Sequence, residues 1–133
     1  MRSDNANPRL FVYGTLRSGY PSGESNRLAP AKLVATGRVP GVLYELEGYP
    51  GAVSAPEGEE WIVGEVVELE NFAGQIRILD QYEGCDDAAP SPHEYRRELT
   101  TVRLDNGDSL SAWIYWYQGP TEGRRHIPTG DWC

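Results

Sequence analysis

Glycine and proline recur along the whole of this chain, 15 of one and 10 of the other in 133 residues. Glycine loosens an element from within and proline removes a backbone donor, so punctuation this dense disfavours long helices. Short strands joined by turns are the expected outcome. Arg9 to Tyr13 reads as a first strand. Leu33 to Leu46, interrupted by Gly37, Pro40 and Gly41, reads as two short strands with a bend between them. Gly48-Tyr49-Pro50-Gly51 reads as a tight turn, and Trp61 to Leu69, rich in valine and isoleucine, as a strong strand. Glu94 to Leu104 and Ser109 to Tyr117 flank Asp105-Asn106-Gly107-Asp108. Asn-Gly between two β-rich runs is the strongest short-range hairpin signal. The tail from Gly119 to Cys133 reads as mostly irregular.

One segment breaks this pattern. Phe72, Ile76 and Leu79 recur at i, i+4 and i+7, which predicts an amphipathic helix from about Asn71 to Glu83. Glu83 continues that stripe, about 20° from the Ile76 direction at 3.6 residues per turn. Gly84 follows, the usual residue for a helix stop. On this reading an acid sits on the inward face of the last turn, where the helix dipole also disfavours negative charge. Burial and dipole together hold a carboxyl closer to neutral pH than water would, as a general acid/base requires. A helix that ends sooner leaves Glu83 facing solvent instead, as most glutamates do.

Six or seven strands and one clear helix define an α+β chain: a small mixed β-barrel or strongly curved sheet with helical decoration. Residues 9–133 read as a single domain and residues 1–8 as a disordered polar lead-in without the apolar core of a signal peptide. The formal net charge of −8 argues against nucleic acid or an anionic membrane surface as partner, since either needs a basic footprint. No apolar run approaches the roughly 18–20 residues a membrane-spanning helix needs. The two cysteines, Cys85 and Cys133, make no disulfide framework, which fits a reducing cytoplasm. Cys85, Asp86, Asp87, His93 and Glu94 crowd together, but their spacing matches no zinc template, and no metal or other cofactor is expected.

The first strand runs into Tyr13-Gly14-Thr15-Leu16-Arg17-Ser18-Gly19. A strand that stops in a glycine turn offers successive backbone N–H groups to an anion or developing oxyanion, although most such turns are only turns. A nucleotide P-loop is excluded, because no Gly-Lys-Ser/Thr follows. The Tyr-Gly-Thr-Leu-Arg turn and the Leu79-Asp80-Gln81-Tyr82-Glu83-Gly84 helix end together resemble the γ-glutamylcyclotransferase-like family, in the AIG2-like branch that includes γ-glutamylaminecyclotransferases. Gly41-Val42-Leu43-Tyr44, Tyr49-Pro50-Gly51, Gly64-Glu65-Val66, Tyr95-Arg96-Arg97 and Ala112-Trp113-Ile114-Tyr115 extend the resemblance from about Leu10 to Trp132.

That resemblance implies a small β-barrel flanked by helices with a cavity at one end. It implies an enzyme that releases 5-oxoproline and a free amine from a γ-glutamyl compound, with a small-molecule substrate as its partner. Carried over by position, Glu83 is the acid/base and Tyr13, Gly14, Thr15 and Leu16 line the substrate site. Tyr115 is the best match for a late tyrosine that touches substrate, with Tyr117 as the alternative. Arg17 and Arg96 read either as partners of a substrate carboxylate or as members of exposed salt bridges. A non-catalytic binding or regulatory domain on the same fold is the main rival.

Overall fold

The computed structural model describes residues 7–13, 31–46, 50–70, 72–82 and 95–131. Seven strands and one helix run in the order β1 (Arg9–Val12), β2 (Ala31–Glu45), β3 (Pro50–Ser54), β4 (Trp61–Leu69), α1 (Phe72–Tyr82), β5 (Tyr95–Leu104), β6 (Ser109–Tyr117) and β7 (Arg125–Ile127). Neighbouring strands follow the path β2-β4-β1-β6-β5, and β5 pairs back onto β2. The sheet therefore closes into a five-stranded barrel, with β3 and β7 added outside the ring on the far half of β2. All pairings are antiparallel except β1 with β6, so the barrel is mixed, as expected.

The expected break in the second strand is absent. Ala31–Glu45 is one continuous strand of 15 residues, and the bend signals mark a change of partner instead. Up to Pro40 the strand pairs with β4, and from Gly41 to Glu45 it pairs with β3. Pro40, which has no N–H to give, is the last residue of the β4 ladder. Pro50 and Gly51, expected in a turn, open β3, a position proline tolerates in a strand. The tail also contributes the three-residue β7, too short to show a period of its own. The β5–β6 hairpin is as expected, with Gly107 at a φ of 96° and its N–H donated to the Leu104 carbonyl at 3.0 Å.

Alternation along each strand separates two cores. Phe11, Val39, Ile62, Val66, Val102, Ala112 and Ile114 point inward and fill the barrel. Leu10, Val12, Val67, Leu69, Trp113 and Tyr115 point outward and pack with Ile76 of α1. Phe72, on the same helix stripe, stacks on Trp113 with ring centroids 6.4 Å apart. Ahead of β1, the Pro8 carbonyl accepts from the Leu69 N–H at 2.9 Å, and the Asn7 carbonyl from Trp113 Nε1 at 3.0 Å.

The barrel is tightest where Gly37 of β2 faces Gly64 of β4. A Cβ at Gly64 would collide with the Val12 carbonyl oxygen and lie 2.6 Å from the Phe11 ring. A Cβ at Gly37 would stand 2.7 Å from the Arg103 carbonyl oxygen. Gly64→Val is therefore expected to lower the free energy of unfolding by about 1–3 kcal/mol, the usual size of an overpacking penalty. Urea titration measures it, and an unchanged midpoint would contradict this close approach of β1 and β4.

Candidate functional site

The outer face of β4, β1, β6 and β5 carries the chemistry-bearing residues. Val12 pairs with Glu65, and Tyr115 pairs with Arg97. Leu10 is level with Trp113 in the parallel β1–β6 pair, so two residues further on Val12 comes level with Tyr115. Glu65, Val12, Tyr115 and Arg97 thus form one row across four adjacent strands. The row lies at the end of β1, next to the start of the Tyr13 to Leu16 segment. Glu65 is only 8% exposed, and among the described residues it is the sole buried carboxylate. Arg97 is half-buried and leans from β5 over β6, its Cζ 4.5 Å from the centre of the Trp113 ring. Attraction of the guanidinium to the ring face fixes that lean.

Tyr13 belongs to the other face. Its parity is that of Phe11, and it packs in the inner core. From there its hydroxyl donates to the Tyr115 carbonyl at 2.6 Å. The structure thus brings together the two tyrosines expected at the site, but through the phenol of one and the backbone of the other. This bond ties the end of β1 to β6 beyond the single pair that joins those strands. Tyr117 is buried on the outer face, edge-on to Tyr95, and its hydroxyl donates to the Pro120 carbonyl at 3.2 Å. The Tyr95 hydroxyl donates to the Pro50 carbonyl at 2.8 Å. These bonds brace the wall beside Tyr115.

Gly14, Thr15, Leu16, Arg17 and Glu83 lie outside the described residues, as does the Cys85 to Glu94 stretch. The helix that leads to Glu83 is described to Tyr82, and its stripe is buried at Phe72 in part and at Ile76 fully. Gln75, beside Ile76, is buried too. Arg96 points away from the row and pairs with Glu98 at 2.8 Å in an exposed ion pair. No group of histidine, cysteine, aspartate and glutamate among the described residues is arranged to hold a metal ion. Among the same residues no helix is long and apolar enough to cross a membrane.

The sequence reading did not place Glu65 and Arg97 in this row. Strand parity was the available signal: Glu65 shares its face with Val67 and Leu69 inside an apolar run, where a solvated glutamate is out of place. Arg97 shares its face with Tyr95 and Leu99, whereas Arg96 does not.

Comparison with known proteins agrees with this architecture. Residues 10–133 match the family model described as gamma-glutamyl cyclotransferase, AIG2-like. The gamma-glutamylcyclotransferase family protein YtfP of Escherichia coli is 34% identical over 126 residues, covering 93% of this chain and 95% of its own. The solution structure of YtfP superposes with a TM-score of 0.65. YkqA of Bacillus subtilis is 31% identical with a TM-score of 0.70, and this chain spans 39% of its length. A mouse aig2-like protein, 22% identical, shares the fold with a TM-score of 0.71 over 95% of this chain and 88% of its own. This chain belongs to the AIG2-like gamma-glutamylcyclotransferase family.

The Tyr13 to Tyr115 bond is open to direct measurement. Tyr13→Phe keeps the ring in the core and removes only the donor, so it should cost about 1–2 kcal/mol of stability, as losing one buried partner does. Denaturant unfolding monitored by tryptophan fluorescence reads the change. A variant as stable as the parent would mean that this bond does not hold β1 against β6.

Proposed function

We propose that this protein is a cyclotransferase that releases 5-oxoproline and a free amine from a γ-glutamyl amine or γ-glutamyl peptide, with Glu83 as general acid/base. The observation that carries the reading is membership of the family across residues 10–133. Support from the fold comes from α1, whose stripe is half-buried at Phe72 and buried at Ile76 and which runs to Tyr82, the residue before Glu83 in the sequence.

In the reaction the α-amino nitrogen of the γ-glutamyl group attacks its own γ-carbonyl carbon. A five-membered lactam forms and the bond to the departing amine breaks. Nucleophile and electrophile belong to one molecule, so the protein's main task is to fold the substrate onto itself. Orientation of this kind is worth up to about 7–11 kcal/mol in well-placed intramolecular reactions. The Glu83 carboxylate takes the proton that the attacking nitrogen must lose and delivers it to the departing nitrogen. Such transfer usually contributes about 10²–10⁴-fold. The N–H groups of Gly14, Thr15 and Leu16 would meet the oxyanion or the α-carboxylate, with Tyr13 anchoring the start of the turn and Tyr115 forming part of the floor. Neither metal nor nucleotide is needed for any of these steps.

The test is a 5-oxoproline assay over γ-glutamyl-ε-lysine, γ-glutamyl-alanine, glutathione and a γ-glutamylated small-molecule amine. At least one should be turned over, and Glu83→Gln should retain the fold while losing nearly all kcat. Glutamine keeps the shape of the side chain and ends proton exchange. A folded variant with more than about a tenth of the parent kcat would remove Glu83 as acid/base, given the usual size of that contribution.

A further inference from the structure

We propose that Asn106 is a site of spontaneous deamidation, and that the β5–β6 turn and its tether to β2 set the rate. The inference is independent of the cyclotransferase reading. Of the five asparagines in the chain, Asn106 alone precedes a glycine. The residue after the asparagine supplies the attacking nitrogen. Glycine, without a Cβ, leaves that nitrogen unshielded and its backbone free to rotate. Residues 105–108 are all exposed, and a Cβ at Gly107 would meet nothing within 4 Å, so the turn is open to water.

The reaction replaces a side-chain amide by an acid. The Gly107 backbone nitrogen gives its proton to hydroxide and attacks Cγ of Asn106. A carbon–nitrogen bond forms and the bond from Cγ to the carboxamide nitrogen breaks. That nitrogen leaves as ammonia with a proton from water, which restores the hydroxide. The five-membered succinimide that remains is opened by water at one carbonyl or the other, giving aspartate or isoaspartate. Nothing is oxidised or reduced, and solvent water is the sole co-reactant.

Two hydrogen bonds act on this step in opposite senses. The Asp108 N–H donates to Asn106 Oδ1 at 2.9 Å, on the oxygen where negative charge gathers as Cγ is attacked. The Gly107 N–H donates to the Leu104 carbonyl at 3.0 Å, and that bond holds the proton that must leave. The carboxamide is primed, but its nucleophile is withheld while the turn is closed. A further bond, from the Leu104 N–H to the Asp108 carbonyl at 2.8 Å, shuts the loop, with Gly107 in the left-handed region. The tether lies on β2. The Asp105 N–H donates to the Thr36 carbonyl at 3.1 Å, and the Thr36 hydroxyl donates to the Asp105 carboxylate. Both bonds adjoin the Gly37 and Leu104 pair that closes the ring. An exposed turn opens at far lower cost than the whole domain, so reaction runs through the open turn and loosening the tether speeds it. Isoaspartate would lengthen the backbone beside the ring closure, at the end of the β5–β6 pair away from Tyr95 and Tyr117.

The experiment holds the full-length protein at mildly alkaline pH, folded and, in parallel, unfolded in guanidinium chloride. Ion exchange and peptide mass mapping follow the conversion of each asparagine. Aspartate and isoaspartate should appear first at Asn106, about tenfold or more slowly in the folded protein, because the nitrogen reacts only from the open turn. Thr36→Val removes the hydroxyl that holds Asp105. It should speed the folded reaction about two- to tenfold, the effect of one lost hydrogen bond on an opening equilibrium, and leave the unfolded rate unchanged. Conversion of another asparagine ahead of Asn106 would overturn the assignment of the site. A folded rate equal to or above the unfolded one would overturn the control by the turn, as would an unchanged folded rate in Thr36→Val. If Thr36→Val fails to fold, the comparison of folded with unfolded parent protein decides the question alone.

Discussion

Closure of the sheet at Gly37 and Arg38 is the constraint on which the rest of the molecule depends. At these two positions β2 is bonded to β4 on one side and to β5 on the other, and the ring has no free edge there. Gly37 faces Gly64 across the β2–β4 ladder, and a Cβ at Gly37 would stand 2.7 Å from the Arg103 carbonyl oxygen of β5, so the closure is tight at this position. Once the ring is shut, an inside and an outside exist. The inside is filled by aliphatic and aromatic side chains from all five strands, which gives the barrel its rigidity. The outside is left free to vary in polarity.

That division explains how so small a chain holds both a stable core and charged groups. Each strand presents alternate residues to the two faces, so Phe11 and Tyr13 serve the interior while Leu10 and Val12 serve the helix-covered side. A one-residue slip in β1 would exchange those roles. The slip is opposed by the Val12 and Glu65 register and by the bond from Tyr13 to the Tyr115 carbonyl, which reaches from inside the barrel to the backbone of the next strand. Glu65, Tyr115 and Arg97 come into one row because pairing fixes them there. They are distant in sequence, and only strand register relates them.

Much of the fold could be read from the residues because its signals are local. The valine-rich β4 appears with the bounds expected, the Asn106-Gly107 hairpin joins β5 to β6, and the Phe72 and Ile76 spacing yields α1. Where the reading failed, the deciding force was not local. Gly37, Pro40 and Gly41 look like breaks, yet β2 continues through them because each half finds a different partner. β7 forms because β2 offers it an edge, which no property of Arg125 to Ile127 announces. The candidate site was partly readable for the same reason: Tyr13 follows and Tyr115 lies in a recognisable strand, whereas the pairing that sets Glu65, Val12, Tyr115 and Arg97 in one row spans the whole sheet. The neighbouring Arg96 illustrates the limit, since one step along β5 changes which face a charge occupies.

The proposed chemistry needs little beyond this scaffold: a folded substrate and a carboxylate to move one proton. Its central claim is that the substrate's own nitrogen, and not water, attacks the γ-carbonyl. Turnover in water enriched in heavy oxygen tests that claim directly. The account predicts one unlabelled 5-oxoproline for each amine released and no free glutamate. Labelled glutamate appearing in step with the amine would show hydrolysis and contradict it.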